Sequence, residues 1–159
     1  MTTRTLTGLA LALVVALGVT GVTGAATSAK KQLVSIDQEE RPDLRNGKWE
    51  MLVWTPGPVQ DDKGTYTWSV TSRKKGVRGG QAFERVLSIV AFTGKNGTFK
   101  VREDDTLVSS RRGKVATGTW TMLSGTEDYA GVNGGGRPAA AVGLVRPDPW
   151  RYEGFLAAP

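Results

Sequence analysis

The sequence predicts an all-β protein, an eight-stranded antiparallel up-and-down β-barrel preceded by a signal peptide. Three observations predict it. Beyond residue 47, apolar and polar side chains alternate with a period of two and no segment sustains a helical period. Glycine-rich turn signals separate the alternating segments, drawing on 21 glycines. The first 29 residues form a separate apolar leader that carries Arg4 as its one charge.

Within that leader, Leu9–Val19 has the length of a secretory hydrophobic region and is too short to span a bilayer comfortably. Gly18, Gly21 and Gly24 interrupt the apolar character, and cleavage is expected after Ala25, Ala26 or Ala29. The mature chain is expected to be exported and free, with no stable membrane span after processing. Residues 30–46 are polar and charged and read as an extended lead-in, leaving 47–159 as the barrel domain.

The strands follow in order. Lys48–Trp54 is stopped by Pro56-Gly57-Pro58. In Thr65–Ser72, Tyr66, Trp68 and Val70 share one face, opposite a row of Thr and Ser. Gln81–Phe92 is apolar on both sides, with Phe83, Leu87 and Ile89 against Val86, Val90 and Phe92, so both sides are expected to be covered. Outside, the cover would be the lead-in or a neighbouring subunit. Gly94-Lys95-Asn96-Gly97 is a hairpin signal leading into Thr98–Glu103. Val115–Leu123, Tyr129–Asn133, Pro138–Val145 and Trp150–Leu156 complete the eight. So many short strands suit a barrel or a sandwich, and closure disposes of exposed edges more simply.

Composition removes whole classes of chemistry. The chain has no Cys, hence no disulfide framework, thiol nucleophile or iron–sulfur site, and no His, hence no Ser-His-Asp triad. No metal-binding spacing and no cofactor motif is present, and nothing implies a nucleic-acid partner. Twenty-one basic against 15 acidic residues give a formal charge of +6, which allows contact with an anionic envelope but identifies none.

The segment GTWTMLSGTEDYAGVNGGG, residues 118–136, with GTFKVRED at 97–104 before it, resembles the corresponding strands of allene oxide cyclase and plant dirigent proteins and of secreted bacterial proteins of that barrel type. The resemblance covers roughly residues 62–156 and implies an eight-stranded barrel with a central cavity, often a homo-trimer. Physically, Gly125 and Gly131 bracket a tight reversal after which Tyr129 re-enters the wall. Gly134-Gly135-Gly136 would supply positive φ or close backbone approach.

The expected function is non-enzymatic binding of a small apolar or amphipathic ligand in the cavity. The alternatives are a cyclase- or dirigent-like enzyme that shapes a reactive intermediate, and an envelope-associated protein acting through its surface. Glu84 and Arg85 are the candidate catalytic pair, because one of two adjacent strand residues must point inward and a buried charge needs a partner. Tyr66, Trp68 and Trp120 are candidate ligand contacts. Glu103-Asp104-Asp105 reads as a strand end running into a solvated loop, since neighbours in a strand face opposite ways. In an up-and-down order, the connections holding Arg73, Lys74, Lys75 and Arg78, then Arg111, Arg112 and Lys114, then Arg137 share one end. That end becomes a basic mouth for an anionic ligand or polymer. Asp61, Asp62, Glu127, Asp128 and Asp148 gather with Lys63, Lys95 and Arg146 at the other end.

Overall fold

A computed structural model describes residues 30–39, 45–143 and 149–159. The expected signal peptide, with its cleavage point, lies outside the described residues. Eight antiparallel strands run in chain order around a closed ring: β1 (Lys31–Glu39), β2 (Asn46–Val53), β3 (Asp62–Arg78), β4 (Gln81–Gly94), β5 (Gly97–Ser110), β6 (Gly113–Gly125), β7 (Asn133–Val142) and β8 (Pro149–Ala157). β1 pairs with β8 from Lys31 opposite Ala157 to Glu39 opposite Pro149, and this pairing closes the barrel.

Two of the expected elements differ, and they offset one another in the count. The lead-in is itself a barrel strand: β1 lies between β2 and β8, so it cannot cover β4 from outside. Tyr129–Asn133 is not a strand; Glu127–Tyr129 forms a single 3-10 turn that drops the Tyr129 ring into the core. β5 continues through Asp104 and Asp105 to Ser110, so the acidic run belongs to a strand and not to a loop. Gly134, Gly135 and Gly136 are extended residues of β7, and their contribution is close approach: a Cβ on Gly136 would overlap the Glu153 carbonyl of β8.

The turns obey local chemistry. β3 and β4 join through Gly79-Gly80, both at positive φ (58° and 77°), the conformation a two-residue hairpin with matching twist requires. Lys95-Asn96 links β4 to β5, with Gly94 opposite Gly97 as expected.

The interior is filled at one end only. Around Trp49, Phe92, Phe99 and Tyr129, rings meet at centroid distances of 4.7–5.4 Å, and Ile36, Met51 and Leu156 pack against them. The loop between β2 and β3 plugs this end. Gln32, fully buried on β1, accepts from Val59 N at 2.9 Å and donates to Val59 O at 3.0 Å and Thr55 O at 3.2 Å, which holds Val59 in the core. Asp62 ties the same end together, accepting from Lys95 N, Asn96 N and the Tyr129 hydroxyl at 3.1, 3.2 and 2.9 Å. On β4, Val86, Val90 and Phe92 are buried inside, while Phe83, Leu87 and Ile89 are half-buried outside. Exposed apolar side chains stand together elsewhere on the wall, where Leu33, Leu52 and Phe155 occupy the outer faces of β1, β2 and β8 beside Trp54.

Candidate functional site

The other end of the barrel opens into a cavity of about 350 Å³. Period-two alternation on long strands builds it, because every second residue of β3, β4 and β5 is delivered to the same interior. Trp68 and Tyr66 come from β3, Trp150 and Tyr152 from β8, and Gln38 from β1; Val86, Leu107 and Val142 complete the apolar lining. At the rim Glu84, buried on β4, sits between Arg73 and Lys114. Its Oε2 accepts from Lys114 Nζ at 3.4 Å, and its Oε1 lies 3.2 Å from Arg73 Nε without hydrogen-bond alignment.

Deeper in, β5 places Glu103 and Asp105 on the same inner face two residues apart, 0 % and 2 % exposed. Glu103 is saturated with donors. Ser88 Oγ at 2.5 Å and Trp68 Nε1 at 3.2 Å donate to its Oε2, and the Tyr152 hydroxyl donates to its Oε1. Burial pushes its pKa up, and those three hydrogen bonds pull the other way. Asp105 has no such support. Burial first, then the charges of Glu103 and Asp104, push its pKa up to about 8, and its Oδ1 has no hydrogen-bond partner. Opposite it on β6 stands Gly118, where a Cβ would overlap the Asp105 carboxyl and the Asp104 carbonyl. The missing side chain is what leaves room for the acid.

Asp104, between the two buried acids, faces outward and behaves oppositely. Arg85 of β4 grips it through two bonds, Nε–Oδ1 at 2.7 Å and Nη2–Oδ2 at 2.5 Å, and holds its carboxyl below the usual range. Of the candidate catalytic pair, therefore, Glu84 reaches the cavity, and Arg85 is an outer-wall residue tied to Asp104. Tyr66 and Trp68 line the cavity as candidate contacts. Trp120 does not: it is buried in the core below the cavity, opposite Glu103, and donates its Nε1 to the Glu153 carbonyl at 3.2 Å.

The basic residues divide by role. Arg73 and Lys114 belong to the cavity rim, and Lys74, Lys75 and Arg78 to the exposed arm of the β3–β4 hairpin. Arg111 and Arg112 form the β5–β6 turn at the same end. Arg137 departs from expectation. It lies midway along β7, on the outer face opposite Glu153, away from any connection. Asp104 and Asp105, expected in a solvated loop, go to the outer wall and the interior of β5, while Arg146 and Asp148 lie outside the described residues.

Sequence inspection missed the two buried acids as a site. Adjacent residues of a strand do diverge, but the same alternation brings the i, i+2 pair Glu103 and Asp105 together on one face. The signal that could have found them is the acid spacing 103/105 on a strand whose apolar neighbours Phe99 and Val101 share its parity.

Comparisons of the chain with protein-family models, with curated proteins and with solved structures find no match. Among the described residues no group of His, Cys, Asp or Glu could hold a metal ion, and no helix is long and apolar enough to cross a membrane.

Proposed function

We propose that this chain is an exported barrel that binds a small amphipathic molecule in its open half, on the architecture of allene oxide cyclase and dirigent proteins. One observation carries the reading. Among the described residues, four buried side-chain polar atoms lack hydrogen-bond partners: Gln38 Nε2, Glu84 Oε1, Asp105 Oδ1 and Trp150 Nε1. All four residues line this one cavity. Glu84 Oε1 still has the Arg73 guanidinium 3.2 Å away; each of the other three costs about 1–3 kcal/mol when it goes unsatisfied, so their convergence in an aromatic-walled space is the signature of a site that a polar ligand completes.

The test is native mass spectrometry of the protein purified from its own host, which is expected to retain a small molecule. Leu107→Trp, filling the apolar wall, is expected to abolish that retention while the far core stays folded. A chain that carries nothing and behaves identically after Leu107→Trp would overturn the reading.

A second reading, a cyclase- or dirigent-like enzyme, is favoured by the buried acids. A carboxylic acid kept neutral near neutral pH is placed to give a proton to a bound intermediate. Incubating the retained molecule with fresh protein separates the two, because a binding protein returns it unchanged and an enzyme converts it.

A further inference from the structure

We propose that the molecule bound in this cavity is a small amphipathic amine, its ammonium group seated on Asp105 and an oxygen acceptor of the same molecule meeting Gln38 and Trp150. The inference rests on the reading of the cavity as a ligand site and adds the charge and polarity of the ligand.

The two carboxyls that line the cavity, Glu84 and Asp105, and the buried Glu103 beside them are served unequally. Glu103 receives three hydrogen bonds from neutral donors, and Glu84 takes both rim cations, Arg73 and Lys114. Asp105, which lines the cavity and is 2 % exposed, receives neither, and its Oδ1 over Gly118 has no hydrogen-bond partner. Among the lining acids, Glu84 is therefore matched by cations and Asp105 has none of its own. A ligand ammonium group supplies the counter-charge that Asp105 lacks, a neutral alcohol supplies none, and a ligand carboxylate would add a further acid beside Asp105 and Glu103. A cation is favoured a second time by the walls, since the faces of Trp68, Trp150, Tyr66 and Tyr152 attract positive charge. The remaining orphans, Gln38 Nε2 and Trp150 Nε1, are both donors and call for an oxygen on the ligand.

Ligand charge and protonation are then coupled. The groups around Asp105 are Glu103 and, outward, Asp104 on its own strand, Glu84 on β4, Arg73 and Tyr66 on β3, Lys114 on β6 and Tyr152 on β8, with Gln38 of β1 and Trp150 of β8 neutral. Without ligand, Asp105 keeps its proton up to about pH 8. An arriving ammonium group favours the carboxylate, so binding releases a proton below that pH.

The test measures the affinity of the full chain, by calorimetry, for three matched probes: tyramine, tyrosol (hydroxyl for amine) and hydroxyphenylpropionate (carboxylate for amine). Tyramine is expected to bind about tenfold or more tightly than tyrosol, with the carboxylate weakest. Its affinity should strengthen by up to about tenfold per unit as pH rises towards 8, with proton release. In Asp105→Asn the tyramine advantage and its pH dependence should vanish while tyrosol binding is retained, which also shows that the variant is folded. Equal binding of the three probes, preference for tyrosol or the carboxylate, or an unchanged preference in Asp105→Asn would overturn the amine inference and leave the ligand site standing. Failure of all three to bind, or binding untouched by Leu107→Trp, would overturn both.

Discussion

At the scale of single residues, the protein accepts a penalty at Asp105. A carboxyl whose folded pKa is raised from the ordinary 3.8 to about 8 opposes folding as pH rises. Between those values the folded state holds a proton that the unfolded chain has released, so stability falls across this window and levels off above it. Asp105→Asn removes the titrating group without changing its shape. The variant is expected to melt at higher temperature than the parent at pH 8, by about 2–4 °C for each kcal/mol relieved, and to show little difference near pH 4. Thermal melts at the two pH values check this, and a variant less stable at pH 8 would contradict it. Retaining a destabilising acid in a space kept open by Gly118 is the trade expected of a binding site. Burial raises the neighbouring Glu103 too, but its three donors offset part of that cost: Ser88→Ala removes one of them and is expected to destabilise the barrel by about 1–2 kcal/mol, read from urea denaturation.

Among the elements, β2 to β6 were legible in the sequence because their inward positions carry large apolar residues, which mark the period of two directly. β1 was not. Its inward row is Gln32, Val34, Ile36 and Gln38, and two glutamines at its ends mask the alternation. Both owe their burial to tertiary structure, Gln32 to the β2–β3 loop and Gln38 to the cavity, and neither partner is visible locally. The 3-10 turn was misjudged for the converse reason. Tyr129 and Val132 are buried without alternating in a strand, since the segment crosses the barrel end instead of running along the wall. The two glutamines thus have separable roles. Gln32→Ala is expected to cost about 2–4 kcal/mol, because it breaks three bonds and strands Val59 N in the core. It should also open the 54–61 loop to limited proteolysis. If denaturant unfolding and proteolysis were both unchanged, the loop would not depend on that plug.

For the whole molecule, the wall is differentiated from one end to the other. The basic hairpin arms stand at the open end, where Val77 and Val115 are exposed among them, while a group of exposed apolar side chains stands together at the plugged end. There Leu33 lies directly opposite Phe155, Leu52 stands on the next strand, and the Trp54 amide bonds to the Leu33 carbonyl at 2.8 Å. With Phe155 50 % and Trp54 62 % exposed, these side chains form an apolar surface across β8, β1 and β2 of the kind that promotes association. The homo-trimer implied by the sequence resemblance is therefore expected to form through this surface and not through the outer face of β4, whose apolar residues are already half-buried. Phe155→Lys places a charge at its centre on a side chain that points away from the barrel interior, so the fold should survive. Sedimentation is expected to show the parent associating and Phe155→Lys as a monomer, whereas Leu87→Lys on β4 should still assemble. Because the surface lies at the plugged end, assembly leaves the cavity mouths open, and the monomeric variant should bind ligand with one site per chain at the parent's affinity. A parent chain that sediments as a monomer at all concentrations would sink the assembly expectation without touching the cavity.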